Sequence, residues 1–316
     1  MKLFVTGLSG FVGTWLQRRL NDPATGCPYE LIGTDPGDIL DRPGLAKILA
    51  AARPDAVIHL AAQSNVPAAI ADPLTTVEVN TIGTLNLLDA LESAGFSGRL
   101  LFIGSGDQYG RVDSESLPLP ETAAIQPRNP YAASKAAAEL LVLERARRGR
   151  IDAVCARSFN HTGPDQDARF VLPGLARQIV EIGDRPRFSG AEKRGLSPIS
   201  IVAGDLDVTR DFLDVRDVVS AYLQLLINGE SGGVYNVCSG IERHLGDTLA
   251  TMMTMAGVEA AVERASHLMR PAEQRRSCGD NRRLCSLGWQ PVVPWETTLA
   301  NLLDYARQQL IKEKNT

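Results

Sequence analysis

A short apolar run, Lys2–Thr6, leads directly into three glycines spaced three apart, Gly7, Gly10 and Gly13, and then into the helical periodicity of Phe11–Leu20. A strand that turns on glycines into a helix is the opening of a βαβ unit, and it dictates much of what can follow. In that setting Gly7 permits a tight turn, Gly10 lets the backbone approach a pyrophosphate, and Gly13 lets the helix pack close to the strand. The helix N-terminus then offers free N–H groups to an anion. Ser9, Phe11 and Val12 belong to the same loop and first turn and are expected around a dinucleotide. The second expected strand, Glu30–Thr34, ends at Asp35. A carboxylate there accepts hydrogen bonds from both ribose hydroxyls and repels a 2′-phosphate, which leans the cofactor toward NADH within NAD(P)H. Arg42 stands near enough to temper that preference. Asp38 and Ile39 fit the edge of an adenine or a polar turn before a helix equally well.

The alternation continues. Helical patterns are expected over Pro43–Ala52, Thr75–Ala94 (with Ile82, Leu85 and Leu88–Leu91 on one stripe) and Tyr131–Arg147. Strands are expected over Ala56–Leu60, Leu100–Ile103 and Asp152–Arg157. Continuous apolar strands between amphipathic helices predict an α/β fold, a Rossmann-type doubly wound parallel sheet covered on both faces. After Phe159 the pattern loosens. Gly163–Asp165 reads as a turn and Phe170–Gly183 as a helix, and 185–201 as a long loop rich in Gly, Pro, Ser and charge. Asp211–Val215 and Val234–Val237 read as short strands returning to the main unit. Leu245–Ala256 and Trp295–Leu310 read as helices, and Lys312–Thr316 as a frayed end. The division this suggests is a dinucleotide-binding unit of 1–163 plus about 204–240, and a smaller, discontinuous C-terminal substrate unit of about 164–203 plus 241–316.

The chemistry-bearing signal is Pro130-Tyr131-Ala-Ala-Ser-Lys135. Residues four apart share a helix face, so the ammonium of Lys135 is expected beside the phenol of Tyr131, lowering its pKa. Pro130 suits the first turn and Asn129 its cap. A tuned phenol is what hydride transfer at a carbonyl needs, as acid or as base. Ser105, in Leu101-Phe-Ile-Gly-Ser-Gly-Asp-Gln-Tyr-Gly110, falls at the C-terminal end of the fourth expected strand, the edge where open α/β sheets bind ligands.

With these stretches in this order, the chain resembles the extended short-chain dehydrogenase/reductase family that acts on nucleotide sugars, over nearly its whole length. The resemblance implies that Ser105, Tyr131 and Lys135 are catalytic. It also implies that Lys135 holds the nicotinamide ribose, that Leu60, Ala61 and Ala62 line the cofactor, and that Asn80 is largely structural. Finer features are similar to the guanosine-diphosphate-mannose branch: Arg157-Ser-Phe-Asn-His-Thr-Gly-Pro164, Arg210–Asp217 and Arg270–Arg276. From these, Asn160, Arg210, Arg270 and Glu273 are expected to hold the sugar nucleotide. A guanidinium suits a diphosphate by its forked geometry; Arg275 and Arg276 are as readily solvated charge.

Within the branch, Leu8–Gly13, Ser105–Gly110 and Ala272–Arg276 resemble the reductases, which implies reduction of the C4 keto group of GDP-4-dehydro-6-deoxy-D-mannose to GDP-D-rhamnose. Dehydratases of the branch place a Glu where this chain has Asp107, one methylene shorter. That departure disfavours 4,6-dehydration of GDP-mannose and leaves Asp107 as a catalytic candidate. A reductase giving the C4 epimer, GDP-6-deoxy-D-talose, and a silent redox-sensing dinucleotide binder remain as alternatives.

Composition narrows the setting. The formal net charge of −4 gives no general attraction to nucleic acid or to anionic membrane. No apolar run approaches the roughly 20 residues that span a bilayer. Five scattered cysteines show neither a zinc spacing nor a disulfide framework, and no metal is expected. Cys155 and Cys238 read as core. A cytoplasmic homodimer is expected, the dimer from the family's habit of pairing two helices per chain.

Overall fold

A computed structural model describes residues 1–32, 37–111, 113–184, 200–268 and 274–315. Asp35, Arg270, Glu273 and loop residues 185–199 lie outside the described residues, so their expected roles are taken up below only as proposals. The strands are β1 (Lys2–Thr6), β2 (Glu30–Leu31), β3 (Ala56–His59), β4 (Arg99–Ser105), β5 (Asp152–Ser158), β6 (Asn160–Thr162), β7 (Ser200–Ala203), β8 (Thr209–Asp214), β9 (Val234–Val237), β10 (Glu242–His244) and β11 (Ala261–Arg264).

Six of them form one parallel sheet in the order β2-β1-β3-β4-β5-β9. Successive strand residues enter opposite cores because side chains alternate across the sheet. Leu3, Val5, Ile58, Leu101, Val154 and Ala156 face one cluster, with Leu16 of the helix Phe11–Asn21 and Val218–Leu226 of the helix Val215–Asn228. Phe4, Val57, Leu100, Phe102 and Cys155 face the other, against the helices Arg42–Ala52, Gly83–Ser93 and Pro130–Arg147. The sheet is therefore doubly wound, as expected. Its strand order reverses between β1 and β3, the place where such sheets bind ligands.

A third cluster is built by Leu172–Val180, Ile201, Leu249, Met252 and Leu299–Leu303. Leu206, Val208 and Phe212 belong to it, while Leu213 belongs to the first, so β8 carries the chain between two cores. Two small sheets border this region, β10-β8-β6 and β11-β7.

Three expectations are corrected. Of the two late strands, β9 joins the main sheet beside β5, but β8 pairs with β6 and β10 instead. The long helix expected over Thr75–Ala94 is Pro73–Val77 and Gly83–Ser93 joined by a π turn, Glu78–Ile82. That wider turn resets the faces: Leu87, Leu88 and Leu91 are buried, whereas Ile82 points outward at 45% exposure. The C-terminal helix does not fray at Lys312 but runs over Trp295–Lys314, and Lys314 pairs with Asp184. No described helix is long and apolar enough to cross a membrane.

Candidate active site

Where β1 ends, Gly7 has φ +72°, and a Cβ on it would lie 2.6 Å from the Ala61 nitrogen. The loop after β3 therefore packs directly on the glycine turn. It is held there by Leu60 N–H donating to the Thr6 carbonyl (3.1 Å) and Ala61 N–H to the Thr6 hydroxyl (3.2 Å). Gly13 is just as constrained, since its Cβ would meet the Leu8 carbonyl oxygen at 2.3 Å. Gly10 differs: a Cβ there would have only the Gly7 oxygen nearby, at 3.3 Å. The helix Phe11–Asn21 starts on Gly10 with no side-chain cap. An open cradle over the first-turn N–H groups of Phe11, Val12 and Gly13 fits a dinucleotide diphosphate. Ser9 and Gly10 are exposed at its rim, and Leu60, Ala61 and Ala62 are partly exposed beside it.

Asp38 accepts from Leu40 N–H (2.9 Å) and forms a turn. Ile39 is core, 5% exposed, packed where a Gly83 Cβ would touch it at 2.6 Å.

Where β4 ends, Ser105 caps the short turn Gly106–Tyr109: its hydroxyl accepts from Asp107 N–H (3.2 Å) and its own N–H donates to Gln108 Oε1 (2.7 Å). The helix Pro130–Arg147 is capped by Asn129, whose Oδ1 accepts from Ala132 N–H at 2.8 Å, with Pro130 in its first turn. It brings the Tyr131 hydroxyl to Ser105. Burial pushes that phenol up to about 12, the Asp107 carboxylate adds to the rise, and the hydrogen bond to Ser105 opposes it. This corrects the expected lowering by Lys135. The lysine shares the helix face, but its ammonium lies over the Phe102 ring, 4.6 Å from the centroid. Burial brings Lys135 down to about 8, opposed by the negative charge of Glu139. Asn80 is buried and structural: it takes Gln63 N–H at 2.8 Å and donates to the Ser134 hydroxyl at 2.9 Å.

Of the expected sugar-nucleotide residues, Asn160 and Arg210 stand on the small sheet β10-β8-β6, and Arg270 and Glu273 lie outside the described residues. Asn160 is exposed at the start of β6 and is in register with Phe212. Arg210 stands two residues earlier on β8, partly exposed, with Nη1 donating to the Thr209 carbonyl at 2.7 Å. Arg276 is paired with Glu242 at 2.6 Å, and Arg275 is exposed.

Sequence reasoning missed His161, whose ring stacks on Phe11 (centroids 6.1 Å apart, 7° between planes) and joins β6 to the cofactor loop. It also missed Gln108, Glu139 and Arg157, which form a polar network under Ser105. One signal was available: a glutamate within Lys135-Ala-Ala-Ala-Glu-Leu-Leu-Val142, one turn beyond Lys135 on an otherwise apolar stretch.

Residues 3–238 match the model of the NAD dependent epimerase/dehydratase family. The chain belongs to that family. It is 45% identical over 303 residues to the GDP-6-deoxy-D-mannose reductase of Pseudomonas aeruginosa, covering 96% of each chain. A solved structure of RMD from Pseudomonas aeruginosa complexed with NADPH superposes with a TM-score of 0.88 at 44% identity, over 98% of this chain and 99% of that one. The Thermus thermophilus UDP-glucose 4-epimerase in complex with NAD follows at 0.82 and 29%, over 97% and 99%. This family member thus has relatives with both dinucleotides.

Proposed function

We propose that the protein reduces the C4 keto group of GDP-4-dehydro-6-deoxy-D-mannose with NAD(P)H, giving GDP-D-rhamnose. The observation that carries this reading is the near full-length likeness to the Pseudomonas aeruginosa reductase. The site supports it chemically. Reduction begins with a protonated acid, and Tyr131 holds its proton firmly across the neutral range. A dihydronicotinamide, when bound, supplies the hydride. Tyr131 gives its proton to the C4 oxygen, and the Ser105 hydroxyl, hydrogen-bonded to it, orients and polarises that oxygen. Lys135 brings a positive charge to the same pocket and a donor for the nicotinamide ribose. The glycine cradle with Ser9, Phe11 and Val12 takes the diphosphate, and Leu60–Ala62 walls the cofactor. Asn160 and Arg210, with Arg270 and Glu273, hold the GDP moiety. The unit around the Leu172–Leu303 core closes over the sugar.

Incubation with the keto sugar and NADH or NADPH, followed by NMR of the product, tests this. One reduced cofactor should be consumed per GDP-D-rhamnose. Turnover without cofactor consumption would mean a dehydratase, and the C4-epimeric product would mean the talose-forming reductase. Asp35 argues for NADH, while the relative's structure holds NADPH. A preference for NADPH above about tenfold, worth about 1.4 kcal/mol, would remove the Asp35 argument.

A second copy of the chain is the partner we infer. Ile70, Leu74, Val77, Ile82 and Leu140 are all exposed on two adjacent helical stretches, 66–82 (broken at Asp72) and 130–147. Five free thiols and a reduced dinucleotide suit the cytoplasm, and fractionation to an exported compartment would overturn that placement.

A further inference from the structure

Beneath Ser105 lies a buried ionic network that the reaction scheme does not use. Gln108 Oε1 accepts the Ser105 N–H at 2.7 Å, and its Nε2 donates to Glu139 Oε2 at 3.0 Å. Arg157 clamps the same carboxylate, with Nη2 donating to Oε1 at 2.6 Å and Nε to both oxygens at 3.2 and 3.1 Å. Its remaining nitrogen, Nη1, donates to the Tyr109 hydroxyl (2.9 Å) and the Glu121 carbonyl (3.0 Å), and the Tyr109 hydroxyl donates onward to Asn236 (2.7 Å). Glu139 is 0% exposed and Arg157 5%. Gly104 leaves room for the network, because a Cβ there would stand 2.7 Å from Gln108 Oε1 and 3.2 Å from Glu139 Oε2.

Two charges buried this deeply lose their hydration, and an apolar pair of the same volume would often be as stable. What the ions add is placement. The network joins the end of β4 to the catalytic helix and to β5 at one point, and Glu139 follows Lys135 by one helical turn.

We propose that Glu139 is a positioning residue for the reaction: clamped by Arg157, it fixes the Ser105 backbone through Gln108 and sets a carboxylate against the Lys135 ammonium. This rests on reading Ser105 and Lys135 as parts of the reductase site. The groups that face Lys135 are few. On its own helix they are Tyr131 and Glu139. Phe102 on β4 offers a ring face, and Cys155 lies on β5 with Arg157 two residues on. His59 on β3 is neutral, its pKa lowered to about 3 by burial and by Lys135, and both of its nitrogens are bonded to Thr6 and Thr84. Glu139 is the strongest of the groups that oppose the effect of burial on Lys135.

The two arms separate in two variants. Gln108→Leu cuts the link to Ser105 and leaves the ion pair; kcat should fall about tenfold to a hundredfold, the cost of a slightly misplaced group, with the alkaline limb of the pH profile unmoved. Glu139→Gln removes the carboxylate; the alkaline limb should move down by about one pH unit, the effect of one lost charge contact. Arg157→Lys keeps the charge without the fork and should lower kcat while leaving the limb in place. NADPH binding, followed by cofactor fluorescence against pH, gives the same shift without substrate. If the wild type fails to reduce the GDP keto sugar, the proposed function fails, and the binding curve still decides this inference. Wild-type kcat in Gln108→Leu, or identical pH curves for Glu139→Gln and wild type in both assays, would overturn it. Melting temperatures identify the folded variants, and Arg157→Lys carries the test if Glu139→Gln does not fold: a kcat equal to wild type there refutes the clamp.

Discussion

The pKa of the Tyr131 hydroxyl is raised to about 12 by burial and by Asp107, so at neutral pH the hydroxyl carries the proton that the proposed reduction asks of it. A positioned acid typically contributes about 10²–10⁴-fold. Tyr131→Phe should therefore lower single-turnover reduction by about that factor, with cofactor affinity and melting temperature unchanged. Near wild-type reduction across neutral pH would rule out Tyr131 as the acid. Lys135 titrates in a different range. Its pKa is lowered to about 8, so the ammonium is complete below that pH and is lost as pH rises through it. kcat/KM for the cofactor, which reports the free protein, should be level below about 8 and fall roughly tenfold per unit above it. A profile level to about pH 10, near the ordinary lysine value, would contradict this. The identity of both residues was legible in Tyr131-x-x-x-Lys135. Their electrostatics were not, because spacing places two side chains on a face without saying which one turns toward Phe102.

Among elements, the glycine turn allows a sharp contrast. A Gly13 Cβ would sit 2.3 Å from the Leu8 carbonyl, a rigid backbone atom, whereas a Gly10 Cβ meets only the Gly7 oxygen at 3.3 Å. Gly13→Ala should accordingly destabilise the fold by about 1–3 kcal/mol, the usual cost of overpacking, and lower the melting temperature. Gly10→Ala should melt like the wild type yet bind the dinucleotide about tenfold more weakly or worse, because the methyl occupies the diphosphate's place. Unchanged cofactor affinity in Gly10→Ala would mean that the cradle holds something else. This turn was readable because strand, glycines and helix each leave a separate mark in the sequence. The centre of the six-stranded sheet was readable for a similar reason, as β1, β3, β4 and β5 are largely apolar runs buried on both faces. The sheet β10-β8-β6 was not: Asn160–Thr162 and Glu242–His244 are three residues each, too short for any period, and their pairing is set by tertiary packing. The π turn at Glu78–Ile82 has no composition that distinguishes it from α-helix, so Ile82 was assigned to the wrong face.

At the scale of the molecule, that outward turn acquires a meaning. Leu74 is 68% exposed, Ile70 61%, Leu140 55%, Ile82 45% and Val77 39%. The segments that carry them pack side by side, since Pro73–Val77 and the π turn both contact the helix Pro130–Arg147. The outer face of that helix adds Ala133, exposed, and Ala137, partly exposed, where charge would serve a solvated surface. An exposed apolar patch of this kind is what the proposed pairing of two copies would cover. Two helical segments per chain suit a two-fold axis, because the same patch then covers itself and the assembly closes. Seating a second copy there would stack two helices on two in a four-helix arrangement. The catalytic helix would lie at its centre, with Tyr131 and Lys135 near the inner end and Leu140 at the seam. Sedimentation velocity should therefore show a dimer at micromolar concentration. Leu74→Glu with Leu140→Glu puts two carboxylates into the seam from each chain, and unpaired charge there costs several kcal/mol per ion after relaxation. That variant should sediment as a monomer. It should also turn over more slowly, since the catalytic helix loses its outer support, while its far-ultraviolet circular dichroism stays that of the wild type. A wild type that sediments as a monomer at every concentration, or a double variant that remains dimeric, would place the interface elsewhere on the molecule.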